Sequence, residues 1–223
     1  MGITDGPSIE SVSFDNSKVL HKLQRMKTDG SPGPDGLHPM VLVTCAALVA
    51  EPLAIMFQES FQSAILPFDW RSADIVPIFK KGDKTDPNNY RPVSLTLVPC
   101  KIMESIIKDS ITTSLEQNQI ISHSQHGYTK DRSCLTNLLE SVEQWTQVLD
   151  NGYGVDILYL DYRKAFDSVS HQHLIHNLST LGCQGKLLLW VESFLHNRTM
   201  HVGVRGSYSS WFDMLSGVPR ALS

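Results

Sequence analysis

The sequence predicts a mixed α+β fold, and two observations predict it. Several stretches repeat apolar residues at helical spacing, whereas shorter apolar runs bounded by Gly, Pro, Asn and Asp are typical of strands. The order along the chain is helices, a hairpin, helices, a central strand, helices and a second hairpin. With 223 residues, 41% hydrophobic and 19% charged, the chain should form one large or two small globular domains, at about 150 residues per domain.

The first third of the chain predicts a tail and three helices. Residues 1–13 are predicted to be a loose tail, and residues 15–28 carry apolar side chains at helical spacing. Two further helices should have Pro39 and Pro52 in their first turns, where proline costs nothing, and Pro67 should end the second of them.

The middle of the chain predicts a hairpin followed by two helices. Residues 73–79 and 91–97 are the paired strands, and the polar loop 80–89 joins them. Each following helix carries an apolar stripe that we expect to lie in the core. The first stripe is Ile102, Ile106, Ile107, Ile111 and Leu115, and the second is Leu135, Leu138, Leu139, Val142, Trp145, Val148 and Leu149.

The apolar run 155–160 predicts a buried central strand, and Asp161 follows directly. Such an Asp is commonly a turn or cap residue, but the end of a buried strand can also hold a carboxylate rigidly at the edge of a cleft. Phe166 comes five residues later, and simple core packing is the ordinary explanation for a lone Phe.

The last part of the chain predicts two helices and a second hairpin. The helices cover 170–181, with Ser170 as N-cap, and 185–196. The strands cover 199–205 and 211–215.

Charge, cysteines and hydropathy limit the functional classes. The net charge of −4 means that any nucleic-acid surface must be local, because such proteins usually show a basic footprint. The four cysteines are too scattered for a disulfide frame or a zinc site. No secretory signal is visible, and the apolar stretch 40–57 is shorter than the ~20 apolar residues of a membrane helix. We therefore expect a cytoplasmic or nuclear protein without a transmembrane segment.

Four segments carry the specific motifs of the chain. They are SPGPDG (31–36), IFKKGD with NYRPVSL (78–95), QHGY (125–128) and LDYRKAFDSV (160–169). In this order and spacing they closely resemble the reverse transcriptase domain of non-LTR (LINE-type) retrotransposons, and the resemblance runs from about residue 12 to residue 219. It implies the fingers and part of the palm of a right-hand polymerase, with 14–150 as fingers-like and early palm and 151–223 as partial palm.

The resemblance also implies a metal site. Nucleotidyl transfer uses two ions about 4 Å apart, and Mg²⁺ takes one or two carboxylates plus substrate phosphates. By resemblance Asp161 is the first metal-binding carboxylate, and the backbone carbonyl of Tyr162 is a further ligand. Phe166 matches the family's sugar-gate aromatic, which leaves no room for a 2′-OH. For Asp167 a structural hydrogen bond and a metal contact both stay open.

Two further groups of residues resemble substrate contacts. Lys80, Lys81 and Arg91 resemble the residues that clamp the incoming triphosphate, although a Lys-Lys-Gly-Asp turn is also an ordinary solvated turn. Which lysine faces the nucleotide stays open.

Gln125, Gly127 and Tyr128 resemble the segment along the template strand. A loop glycine beside a packing aromatic is the alternative. The implied partners are an RNA template, a DNA primer and deoxynucleoside triphosphates.

The chain departs from the family near its C-terminus. Residues 215–219 match the start of the family's next motif, but Arg220 stands where the family has Gln, and no Tyr-x-Asp-Asp occurs in the sequence. We therefore expect neither the catalytic hairpin nor the thumb, and an inactive chain, because one Asp cannot hold two Mg²⁺ ions. A non-catalytic nucleic-acid-binding fragment and a relic of a decayed element are the alternative interpretations.

Overall fold

The computed structural model describes residues 8–162 and 164–219. Within these residues the chain combines helices with a sheet, so the mixed α and β prediction is confirmed. The described residues divide into two compact units, a larger one of 8–114 and 164–219 and a smaller one of 115–162.

The elements follow the predicted order along most of the chain. The helices are α1 (Asn16–Gln24), α2 (Pro39–Thr44), α3 (Ala46–Ser63), α4 (Val98–Gln117), α5 (Cys134–Asp150), α6 (His171–Thr180) and α7 (Gly185–Leu195). The strands are β1 (Ser72–Phe79), β2 (Tyr90–Leu95), β3 (Thr199–Val204), β4 (Ser207–Tyr208) and β5 (Phe212–Asp213). Short 3₁₀ turns precede β1 and β2.

Proline has a different place in the two helices where it was expected in the first turn. Pro39 lies in the first turn of α2, as predicted. Pro52 lies inside α3, so the prediction of a first-turn position was wrong. A proline inside a helix removes one backbone hydrogen bond. The helix persists because its apolar face is buried on both sides of Pro52, including Ala50 and Phe57, each 0% exposed. The helix ends at Ala64, in the left-handed region, ahead of Pro67.

The described part of the predicted tail is packed against the larger unit, so its description as loose was wrong from residue 8 onward. The backbone of Ile9 donates to Gly182 and accepts from Gln184, both at 2.9 Å. Val12 is buried, and Phe14 packs its ring against two phenylalanines of α3. Apolar side chains close to the terminus have a core within reach, and burial outweighs the entropy of a free end. Residues 1–7 lie outside the described residues.

The sheet has the strand order β2-β1-β3-β4, with β5 pairing β3. Strands β1 and β2 form the predicted antiparallel hairpin, and β3 runs parallel to β1. The second predicted hairpin is present as well, because β4 and β5 both run antiparallel to β3, although each is only two residues long.

The core of the larger unit lies among α1, α3, α4 and α7. The apolar stripe predicted for α4 is buried at Ile102, Ile106 and Ile107, each 4% exposed. Trp190 of α7 is also buried, and its indole nitrogen donates to Ser60 Oγ of α3 at 3.2 Å. A buried Trp usually finds such a partner.

The stripe predicted for α5 is not in a core, so this prediction was wrong. The helix forms as predicted, with a capping box at Ser133 and Thr136, but none of its residues is buried. Leu135 is 63% exposed and Leu139 is 59% exposed. An amphipathic pattern identifies the face that favours burial, but burial also needs a second layer of structure to cover that face. The described residues of the smaller unit hold no such layer.

The predicted central strand was also wrong. Residues 155–160 are irregular, and Leu158, Tyr159 and Leu160 are more than 80% exposed. A strand is defined by the neighbour that pairs with its backbone. The sheet formed by the described residues does not include this run. The run has a strand-like composition, but no described strand pairs with it.

Candidate functional site

The β1–β2 hairpin arranges the predicted triphosphate residues. Ile78 lies directly opposite Arg91 in the register, and the backbone nitrogen of Lys80 donates to Asn89 O at 2.8 Å, which continues the ladder by one step. Side chains alternate along a strand, so Lys80, Ile78 and Arg91 share one face of the hairpin. Lys81 follows the last residue of this ladder and lies in a bend with Gly82. All three cationic side chains are exposed.

The loop that carries the lysines has a defined conformation. Gly82 has φ of +92°, and a Cβ there would lie 2.7 Å from Asn89 Nδ2. The same amide nitrogen donates to Asp83 O at 2.9 Å. The Asp83 carboxylate accepts from the backbone nitrogen of Thr85, and this hydrogen bond lowers the pKa of Asp83. The loop is therefore held by hydrogen bonds of its own polar side chains.

The segment that carries Phe166 contacts residues 217 and 218. Phe166 itself is half-buried. The backbone nitrogen of Val218 donates to Phe166 O at 3.0 Å, and that of Gly217 donates to Val169 O at 2.9 Å. Gly217 has φ of +83°, and a Cβ there would lie 2.9 Å from the carbonyl oxygens of Phe166 and Asp167. The segment around Phe166 and the start of the family's next motif therefore meet backbone to backbone, which only glycine allows.

Helix α6 also contacts Gly217. His171, at its first turn, places Nε2 2.8 Å from Gly217 O. A cleft of about 690 Å³ opens beside it, and Ser168, His196 and Ser216 contribute to its lining. These residues belong to the larger unit.

A buried arginine near the cleft was missed from the sequence. Arg198 is 1% exposed, its Nη1 donates to Phe194 O at 3.2 Å, and its guanidinium stacks 4.6 Å over the Phe194 ring. Burial lowers its pKa, and burial likewise raises the pKa of the neighbouring Glu104 carboxyl, which accepts from Cys100 Sγ. Nothing in the sequence marks Arg198, because arginine is ordinarily a surface residue.

The QHGY loop belongs to the smaller unit. Gln125 Nε2 donates to Gly127 O at 2.9 Å, and Tyr128 is 92% exposed with φ of +59°. The buried member of the motif is His126, at 7% exposure. His126 was not among the residues predicted from the sequence. The available signal was its position inside the QHGY motif, whose other three residues were assigned to the template.

Asp161 and Tyr162 follow the unpaired run in the smaller unit, and both are exposed. Among the described residues, no group of three or more His, Cys, Asp or Glu side chains is placed to hold a metal ion. The two groups matched to the family's metal ligands, the Asp161 carboxylate and the Tyr162 carbonyl, do not by themselves fit a two-ion centre.

The structure thus brings some of the predicted site residues close together. Lys80 and Arg91 share one face of a hairpin, and Phe166 lies against the 215–219 segment. Gln125 contacts Gly127 within one loop. Arg220, where the chain departs from the family, lies outside the described residues.

Comparison with known proteins defines the class of this chain. A helix-and-sheet fold with a basic hairpin and an aromatic–glycine contact is consistent with the fingers and palm region of a polymerase that copies RNA. A profile of the family "Reverse transcriptase (RNA-dependent DNA polymerase)" matches residues 78–220, well over half of the chain. The chain belongs to this family, and the resemblance to retrotransposon reverse transcriptases is confirmed.

The related proteins are encoded by mobile elements. The RNA-directed DNA polymerase from mobile element jockey of Drosophila melanogaster is 30% identical over 204 residues, which is 91% of this chain and 22% of that protein. The probable RNA-directed DNA polymerase from transposon BS of the same organism is 25% identical over the same shares. A 149 kDa protein of transposon TX1 from Xenopus laevis is 30% identical over 72% of the chain and 12% of its own length. The chain therefore spans about a fifth of the length of the first two relatives.

Among the described residues, no helix combines the length and the apolar character that crossing a membrane requires.

Proposed function

We propose that this chain supplies the nucleotide- and template-handling part of an RNA-directed DNA polymerase of a non-LTR retrotransposon. The observation that carries the proposal is the β1–β2 hairpin, which sets Lys80 and Arg91 on one of its faces. Its substrates are a deoxynucleoside triphosphate, an RNA template and a DNA primer.

The hairpin suits a triphosphate for electrostatic reasons. In phosphoryl transfer the negative charge on the phosphate oxygens must be stabilised by groups already in position. Arg91 offers a planar fork that matches two phosphate oxygens, and Lys80 adds a compact point charge. The register between Ile78 and Arg91 favours Lys80 over Lys81 as the second cation.

Phe166 acts on the sugar in this proposal. A flat ring beneath C2′ excludes a 2′-OH by steric contact. The backbone contacts from Gly217 and Val218 fix the segment that carries the ring, so the ring's position depends on the 215–219 segment.

The metal belongs to the same proposal but needs more donors than the Asp161 carboxylate and the Tyr162 carbonyl. Mg²⁺ supplies charge stabilisation at the phosphates in enzymes of this type. Asp161 and the carbonyl of Tyr162 would be its protein ligands. The 223 residues contain no Tyr-x-Asp-Asp, so we propose that the chain alone binds substrates without joining them.

Substitution of Arg91 tests the proposal. We expect Arg91→Gln to weaken the binding of a fluorescent deoxynucleoside triphosphate by about tenfold, because a charge-assisted hydrogen bond contributes roughly 1.5–3 kcal/mol. The matched control is Arg205→Gln, which removes an exposed arginine from the turn between β3 and β4. The measurement is a fluorescence titration at fixed salt. Equal losses in the two variants would show that only net charge matters and would contradict the proposal.

A further inference from the structure

His126 is held on both sides by helix α5. Its Nδ1 lies 2.9 Å from Thr136 Oγ1, and its Nε2 lies 2.7 Å from Glu140 Oε2. The side chain is 5% exposed, whereas the Glu140 side chain is 38% exposed. A buried ring with a polar partner at each nitrogen is fixed in orientation as well as in place.

The far end of the loop returns to the same pair. Arg132 Nη1 lies 3.2 Å from His126 Nε2 and 3.8 Å from Glu140 Oε2. Thr136, the other partner of His126, belongs to the capping box that starts α5 with Ser133. The middle of the loop and its end are therefore both fastened to the first two turns of one helix.

The loop needs such fastening. Tyr128 and Asp131 both adopt left-handed backbone conformations, with φ of +59° and +58°. Residues other than glycine rarely adopt this region, and they persist there only when the surroundings hold them. Within the described loop, the backbone nitrogens of Gln125 and Arg132 donate to Ser122 O and Thr129 O, and Gln125 Nε2 donates to Gly127 O.

We propose that His126 is a positioning residue that holds the loop so that Tyr128, 92% exposed, is presented to single-stranded RNA. The choice of RNA as the ligand rests on the function proposed above. A base stacks most favourably on an aromatic ring that is already in place, because binding then loses no conformational entropy to ordering the loop.

Proteolysis tests the anchor without RNA. Trypsin binds its substrate as an extended segment, so we expect cleavage after Lys130 to follow the population of an open form of the loop. We expect His126→Phe and Glu140→Ala each to speed cleavage at Lys130 by about tenfold or more, because each removes the hydrogen bond at His126 Nε2. Glu143→Ala, at an exposed position on the same helix, is the matched control and should leave the rate unchanged. Circular dichroism checks that each variant is folded, and Glu140→Ala serves if His126→Phe is not. Unchanged cleavage in the folded variants overturns the proposal.

A double-mutant cycle tests the link to RNA. The probe is a fluorescein-labelled single-stranded oligouridylate, and anisotropy gives its affinity at fixed salt. We expect Tyr128→Ala to weaken binding about tenfold in the wild-type background and by less than twofold in the His126→Phe background. Additive losses overturn the positioning role. If the wild-type chain binds no RNA, or Tyr128→Ala has no effect, the template role and the function proposed for this loop are overturned, whereas the anchor is still decided by the cleavage rates.

Discussion

At the scale of single residues, Gly217 joins two segments that are about fifty positions apart in sequence. Its backbone nitrogen donates to Val169 O, its carbonyl oxygen lies 2.8 Å from His171 Nε2, and its missing side chain lets the Phe166 and Asp167 carbonyls approach. The motif around residue 217 was recognised from the sequence, but the partner of the glycine was not. A glycine pattern predicts a tight backbone, whereas its contacts depend on how distant segments pack.

Replacing this glycine should therefore cost more than backbone strain alone. Gly217→Ala places Cβ 2.9 Å from two carbonyl oxygens at φ of +83°. Gly206→Ala is the matched control, because Gly206 has φ of +82° and open space around its Cβ. We expect Gly206→Ala to cost about 1 kcal/mol and Gly217→Ala about 2 kcal/mol more, which is roughly 4–8 °C of additional loss in Tm for a chain of this length. Thermal unfolding followed by circular dichroism gives both values, and equal shifts would mean that the 215–219 segment is not docked on Phe166.

At the scale of elements, the sequence pattern predicts where a helix or strand forms. It predicts less well which other elements pack against that helix or strand. The β1–β2 hairpin and the helix ends follow from local signals, namely the polar loop 80–89 and side chains such as Asp15, which caps α1. These signals act within a few residues and so can be read from the chain. Burial of the α5 stripe depends on a second layer of structure, and strand formation by the run 155–160 depends on a partner strand. Local periodicity specifies neither. For the same reason the hairpin that carries Lys80 and Arg91 could be predicted, whereas the surroundings of Asp161 could not.

The α5 stripe gives an element-scale prediction. Leu139 of α5 is 59% exposed and Leu187 of α7 is 0% exposed. We expect Leu187→Ala to lower the free energy of unfolding by about 2–5 kcal/mol, because it leaves a cavity in a packed core. Leu139→Ala should change it by less than about 0.5 kcal/mol. Urea denaturation measures both variants. A loss above about 2 kcal/mol for Leu139→Ala would show that the face of α5 is covered in solution.

At the scale of the whole molecule, the net charge and the motif content both bear on the proposed function. With a net charge of −4, any affinity for nucleic acid must come from local features, and we propose the β1–β2 hairpin and the QHGY loop. The sequence holds the motifs that resemble nucleotide and template contacts, but it contains no Tyr-x-Asp-Asp. We therefore propose that the chain holds substrates without joining them.

Primer extension tests whether the chain joins nucleotides. We expect the purified 223-residue chain, given an RNA template, a DNA primer, deoxynucleoside triphosphates and Mg²⁺, to yield no product above that of its Asp161→Asn variant. The physical reason is that two ions about 4 Å apart need several carboxylate oxygens, and a single Asp with one backbone carbonyl leaves the second ion without protein ligands. An active reverse transcriptase in the same buffer is the positive control. Extension by the wild-type chain that Asp161→Asn abolishes would contradict the expectation. It would mean that other carboxylates of this chain, or of a second copy, join Asp161 when the template is bound.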